Sequence, residues 1–220
     1  MCFLPRLTAL ILSASLISGT ALAQKGPDSP GGFSLTPYIG VLFPTKALLQ
    51  RLSPTDSPAE APLKLAVAVT GGLRLGVGLG DRIAIDADVG YSPGSLEVES
   101  RNVNANQDVQ VLTGTGRVTL FLLPRASPIW FAVSGSGGAI RHTFSKNPSR
   151  PINDIKAGTN VGGVLGASAG FRIGRLLAVV VSAEDYLYNA SFEINGTKTS
   201  ERKQHDIRIS TGLHIPFLGI

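Results

Sequence analysis

Beyond residue 23 this chain has no apolar stretch of membrane-helix length, and its residues alternate instead. Eight runs, Phe33–Phe43, Leu63–Gly80, Arg82–Ser92, Asp108–Leu123, Ile129–Arg141, Thr159–Ile173, Leu176–Ala190 and His205–Phe217, switch character at every second position. That is the two-residue period of a strand whose faces meet different surroundings. The last run shows it most clearly: Ile207, Ile209, Thr211, Leu213, Ile215 and Phe217 fall on one face, and Asp206, Arg208, Ser210, Gly212 and His214 on the other. Each run has about the ten residues or more that a tilted strand needs to cross a bilayer.

The connections alternate too. Gly80-Asp81, Pro124–Pro128 and Gly174-Arg175 read as tight turns, whereas Pro44–Pro62, Pro93–Gln107, His142–Gly158 and Ser191–Gln204 are long. Short turns at one end and long loops at the other are the asymmetry of an outer-membrane barrel, which predicts both chain termini on the periplasmic side. Aromatic positions add a second expectation. Phe33, Phe121, Trp130, Phe131, Phe171 and Phe217 lie toward the short-turn ends, and Phe43, Tyr91, Phe144, Tyr186, Tyr188 and Phe192 toward the other, so they are read as two interfacial girdles. Thr45–Leu52, in the first long loop, has the composition of two helical turns capped by Thr45.

Residues 1–23 carry Arg6, an apolar run from Leu7 to Ile17 and small residues ending at Ala21-Leu22-Ala23, the layout of a cleaved secretory signal. Residues 24–32, rich in Pro and Gly, read as a flexible periplasmic leader, and residues 218–220 as a C-terminal extension of a barrel spanning 33–217. The single cysteine, Cys2, falls inside the signal, so no thiol is expected in the mature chain for a disulfide, a metal or a nucleophile. The 20 basic residues against 15 acidic form no Lys/Arg cluster, and nothing in them favours nucleic acid.

Alternation identifies two faces without saying which is inside, so a soluble lipocalin-like barrel with an apolar cavity is a structural rival. Glycine favours the membrane reading. With the apolar face outward, the inward set includes Gly40, Gly72, Gly76, Gly78, Gly90, Gly162, Gly166, Gly170 and Gly212, which leave room for large polar neighbours. The same phase turns Arg74, Asp86, Asp88, Arg117, Arg172, Glu184 and Arg208 inward and Asp185 outward. Charges in so narrow a space are expected to pair, Arg74 with Asp86 and Asp88 across one hairpin and Glu184 with Arg208 on neighbouring strands, as a plug rather than a conduit.

Three segments carry a family resemblance. Phe33-Ser-Leu-Thr-Pro-Tyr-Ile-Gly40 looks like the first strand, and Ala183-Glu-Asp-Tyr-Leu-Tyr188 like a seventh-strand pattern, of the small eight-stranded outer-membrane barrels of the OmpA/OmpX kind. Ser210-Thr-Gly-Leu-His-Ile-Pro-Phe217 resembles their closing signal, carried by Ser210, Gly212, Ile215 and Phe217. The resemblance covers residues 33–217. It implies an all-β, eight-stranded antiparallel up-and-down transmembrane barrel in the bacterial outer membrane, with membrane lipid and the barrel-assembly machinery as partners and a monomeric state. Leu218-Gly219-Ile220 follow the aromatic on which many relatives end, and no peptidoglycan-binding domain follows the barrel.

Chemistry has few candidates. Barrel-borne lipid A deacylases and acyltransferases use His, Ser and an acidic residue, but here His142, His205 and His214 are the only histidines and none is followed by Ser at the second position. His142 with Ser145, read as loop residues, and His205 beside Asp206 are the available combinations. No catalytic residue, metal ligand or cofactor is assigned, since three scattered histidines without cysteine make no metal site. Gly135-Ser-Gly-Gly138 lacks the lysine of a phosphate loop and lies within a strand. Asn189-Ala-Ser and Asn195-Gly-Thr match a glycosylation pattern without meaning in this setting. The expected role is structural or surface-interacting, with a narrow pore or small-ligand barrel as the alternative and a lipid-modifying enzyme as the third. The sequence names no loop partner.

Overall fold

The structure, a computed structural model, describes residues 32–45, 63–98, 106–145, 155–174, 177–194, 197–198 and 202–217. The signal and most of the leader, the Thr45–Leu52 turns beyond Thr45 and the extension after Phe217 lie outside the described residues. Eight long strands make the wall: β1 Phe33–Pro44, β2 Ala68–Gly78, β3 Ile83–Val98, β4 Asn106–Phe121, β5 Ile129–Phe144, β6 Gly158–Ile173, β7 Leu177–Ala190 and β8 Arg202–Pro216. Each pairs antiparallel with its sequence neighbour, and β1 pairs with β8 from Ser34↔Pro216 to Pro44↔Asp206, closing the sheet. Closure leaves no long edge unpaired, which is what lets an alternating sheet stand alone.

The two-residue period places side chains as the alternation requires. Along β4, Val109, Val111, Thr113, Thr115, Arg117, Thr119 and Phe121 are buried, whereas Leu112, Val118 and Leu120 are exposed. The outer wall is a continuous apolar surface, including Ile39, Val69, Leu73, Leu75, Ile85, Val89, Val133, Leu165, Val181, Ile209 and Leu213. Residues 79–82 and 122–128 connect strands at the short-turn end, where Gly174 also follows the last residue of β6. Gly174 there takes φ 67°, a left-handed turn conformation that glycine adopts without a Cβ clash.

Two strand expectations are corrected. The run read as Leu63–Gly80 breaks at Ala66–Val67, and Leu63–Leu65 is a separate short strand that pairs with Leu96–Val98 farther along β3. Correspondingly, β3 does not stop at Ser92 but runs through Pro93 and Gly94 to Val98. The β2–β3 ladder ends at Gly71↔Tyr91 and resumes only at Leu65↔Leu96, so Pro93 sits where pairing is interrupted and a missing N–H is tolerated. The segment read as the loop Pro93–Gln107 therefore gives Pro93–Val98 to β3 and Asn106-Gln107 to β4. At the long-loop end, residues 155–156, 193–194 and 197–198 form a small sheet of their own.

Candidate functional site: the lumen and its charge cluster

The lumen is layered. At the short-turn end Ala84, Phe121, Trp130, Ala132 and Val180 pack as an apolar floor, with Phe121 edge-on to Trp130 at 5.1 Å between centroids. At the long-loop end a larger apolar group includes Leu42, Val109, Val111, Ile140, Val164, Tyr186, Tyr188 and Phe192. Between them lies a charged layer.

That layer is built by six strands. Arg74 on β2 faces Asp88 on β3 as its direct ladder partner, and Glu184 on β7 faces Arg208 on β8 in the same way. Arg74 Nε donates to Asp88 Oδ2 at 3.3 Å and its Nη2 to Glu184 Oε1 at 2.9 Å. Arg117 from β4 also donates to Glu184 Oε1. Arg208 reaches Glu184 Oε2 from Nε at 2.6 Å and Asp88 Oδ1 from Nη2 at 3.0 Å. Tyr38 from β1 completes the ring, accepting from Arg208 Nη1 at 2.5 Å and donating to Asp88 Oδ1 at 3.1 Å. The Arg208 guanidinium also stacks 4.6 Å from the Tyr38 ring centre and 5.1 Å from that of Tyr186. Asp88, Glu184 and Arg208 are each at most 2% exposed. Three guanidiniums thus share two carboxylates whose four oxygens each accept from an arginine, the condition under which buried carboxylates are tolerable.

Glycines make the room. A Cβ on Gly72 would strike the Tyr38 ring, and one on Gly90 would lie 2.8 Å from Arg208 Nη1. At the floor, a Cβ on Gly170 would overlap the Trp130 indole. At these three positions a neighbour's large side chain crosses the inner surface of the wall, whereas at Gly40, Gly162 and Gly212 an added Cβ would first meet the backbone of the adjoining strand.

Not every inward charge joins the cluster. Asp86 lies one step toward the short-turn end, where its Oδ2 accepts from Thr119 Oγ1 at 2.6 Å, so the expected Arg74–Asp86 contact is replaced by Arg74–Asp88 alone. Arg172 instead donates to the Arg125 carbonyl at 2.5 Å. Arg125, from the turn between β4 and β5, folds back into the lumen to 4% exposure and packs on Phe121. Nothing periodic in a turn segment marks such a residue. Asp206 faces the lumen near the other end and accepts from Tyr188 Oη at 2.6 Å.

The girdle and histidine expectations also need correction. Phe33, Phe131, Phe171 and Phe217 are exposed on the outer wall at the short-turn end and Phe43 at the long-loop end, whereas Tyr91 is exposed in the middle of β3, which runs on to Val98. Phe121, Trp130, Tyr186, Tyr188 and Phe192 are buried, and Phe144 packs against the inner cluster. Parity along the strands carries this information, since Phe121 shares the phase of Arg117 and both tyrosines that of Glu184. His142 is not a loop residue. It is fully buried within β5, edge-on to Phe192 at 5.6 Å, and neither ring nitrogen has a hydrogen-bond partner. His205 points outward to Asp185 Oδ2 at 3.4 Å, away from Asp206, and His214 meets Thr36 Oγ1 inside at 3.1 Å. Of the closing-strand residues, Ser210 and Gly212 face inward, and Phe217 is exposed with its N–H donating to the Phe33 carbonyl at 2.7 Å.

Comparison with known proteins places this architecture among solved barrels. No family model matches the chain, and no curated protein does. The crystal structure of the outer membrane protein OprG from Pseudomonas aeruginosa is similar over 89% of this chain and 100% of that one, with TM-score 0.66 and 11% identity. The outer membrane protein AlkL, solved in lipid bilayers, is similar over 92% and 97%, with TM-score 0.63 and 11% identity. The outer membrane protein W of E. coli is similar over 86% and 99%, with TM-score 0.54 and 14% identity. At these identities the likeness is one of fold, the closed eight-stranded antiparallel barrel.

Proposed function

We propose that the protein is an integral barrel of the bacterial outer membrane, with the short-turn end toward the periplasm, a lumen closed by the Arg74–Asp88–Arg117–Glu184–Arg208 cluster, and the long-loop end as its contact surface. The observation that carries the reading is the pairing of a continuous apolar outer wall with charges sealed inside. A soluble barrel would have the opposite arrangement, and water would then face Leu73, Val118 and Leu213. A cluster anchored on six strands favours a plug over a conduit, because an ion path would have to break several charge-assisted hydrogen bonds at once.

Fractionation with heat-modifiable gel mobility tests location, and planar-bilayer recording tests closure. The expected results are an outer-membrane band that shifts on boiling and no steady conductance. A soluble periplasmic protein without a shift overturns the membrane reading, and steady wild-type conductance overturns the plug.

A second reading, reception of a small molecule at the long-loop end, is favoured by one observation. Within that apolar layer the His142 ring nitrogens and Tyr186 Oη are buried without partners, as a few polar groups converging on an apolar chamber would be before a ligand reaches them. Unfolding midpoints measured with short-chain alcohols test it. A rise in the wild type that vanishes in His142→Phe supports reception, and no rise overturns it.

A further inference from the structure

At the long-loop end one side chain ties the small outer sheet to the barrel. Phe192 lies immediately before Glu193–Ile194, the central strand of that sheet, and its ring is buried in the apolar layer. It stands edge-on to His142 at 5.6 Å and to Phe144 at 5.5 Å between centroids. It also rests on Gly158, where an added Cβ would come within 3.1 Å of the ring. The Ser191 N–H steadies the approach by donating to Asn160 Oδ1 at 3.2 Å. Lys156 and Glu193 pair within the sheet itself, but in solvent, where such a contact adds little.

His142 is the member of this seat that titrates near neutral pH. Its ring is fully buried and neither nitrogen has a partner. It lies above the lipid, since Ile129–Ala139 already has the length a tilted strand needs to cross and Arg141, beside it, points outward. Around it β1, β4 and β6 present Leu42, Val111 and Asn160, none of them charged. From β7 come Tyr186 and Tyr188, and from β8 comes Asp206, already engaged by Tyr188 Oη at 2.6 Å. Arg208 is held deeper, in the charge cluster. Among the described residues no carboxylate touches the imidazole.

We propose that His142 is an acid-sensitive catch: neutral, it seats Phe192 and closes the long-loop end; protonated, it releases Phe192 and the small sheet with it, uncovering the apolar chamber. The sign follows from burial. A proton on the closed imidazole makes a buried charge without a partner, whereas an imidazole that water reaches takes one with the ordinary histidine midpoint of about 6.5. Closure is therefore undisturbed above that pH and weakens about tenfold for each unit below it. The charge cluster lies deeper and stays in place, so the uncovered chamber is not a conduit. The catch acts whatever the chamber receives.

Hydrogen exchange of the refolded protein in lipid vesicles tests this, with the Ser191 amide reporting the seat and the Ile209 amide of β8 the barrel itself. The Ser191 protection factor should be level down to about pH 6.5 and then fall roughly tenfold per unit, while that of Ile209 stays level. His142→Phe keeps His205, His214 and Asp206 and should make the Ser191 protection independent of pH, as should the smaller His142→Leu. Level protection in the wild type overturns the proposal, and so does a fall that both variants share. Imidazole nitrogen resonances of the wild type supply a second measure. His142 should take up its proton in step with the loss of Ser191 protection, and a neutral ring at a pH where Ser191 has opened overturns the catch.

Discussion

Arg208 and Glu184 are direct partners across the β7–β8 ladder, joined from Nε to Oε2 at 2.6 Å with both side chains all but inaccessible. Arg208 is also the residue on which Asp88 and Tyr38 converge. Truncating it leaves two buried carboxylates short of a cation, which costs about 3–5 kcal/mol. Arg208→Ala should lower the urea unfolding free energy in lipid vesicles by that amount, and Arg208→Met combined with Asp88→Asn should recover part of it. A single variant that unfolds like wild type would show that the cluster contributes nothing to the barrel's stability.

The outward pair His205–Asp185 makes the contrast. Its side chains are 42% and 41% exposed and 3.4 Å apart, so solvent screens what attraction there is. His205→Ala should change stability by less than about 0.5 kcal/mol in the same assay. A loss as large as that of Arg208→Ala would place the pair in a drier setting than its exposure indicates.

Gly170 is constrained by the Trp130 indole that crosses it. Gly170→Leu should destabilise by at least about 1–3 kcal/mol through overpacking, and Gly170→Leu with Trp130→Ala should regain much of the loss. Gly116, where a Cβ meets nothing within 4 Å, should accept alanine with little change. Tryptophan fluorescence during unfolding follows Gly170→Leu and Gly116→Ala, which keep Trp130, and heat-modifiable mobility follows all three variants.

Val118 points outward from β4, three residues short of its Phe121 end, with 56% of its surface exposed. Val118→Lys should destabilise folding into a bilayer by up to about 2–4 kcal/mol, the cost of a cation at the membrane midplane, which falls toward the interface. In detergent-free buffer a soluble barrel would gain solubility from the same change, so the sign of the effect separates the two readings of the wall.

The wall was legible because alternation depends on nothing but which side of the sheet meets water, lipid or packed side chains. Once Arg117 and Glu184 are placed inside, parity carries every other residue of their strands with them. What alternation does not encode is depth along the lumen. Asp86 and Asp88 share a face, yet a two-residue step separates the carboxylate that meets Arg74 from the one that meets Thr119. Strand ends were harder still. Pro93 reads as a terminator until the interruption of the β2 ladder supplies a place for it, and ending β5 at Arg141 discards His142, the next residue inward. Arg125 comes from a turn, where no period exists to aim it.

The seam between β1 and β8 has a consequence in time. Thr36 and His214 meet inside it across 178 positions of chain, so the first strand has its final neighbour only after the last one exists. Such a long loop closure favours late, all-at-once completion over growth from the N-terminus. Until then the nascent barrel is an open sheet with two sticky borders, β1 on one side and the most recent strand on the other. A chain cut before Arg202 would keep its hairpins and never become a ring, and its β1 border would be the place where it pairs with something else.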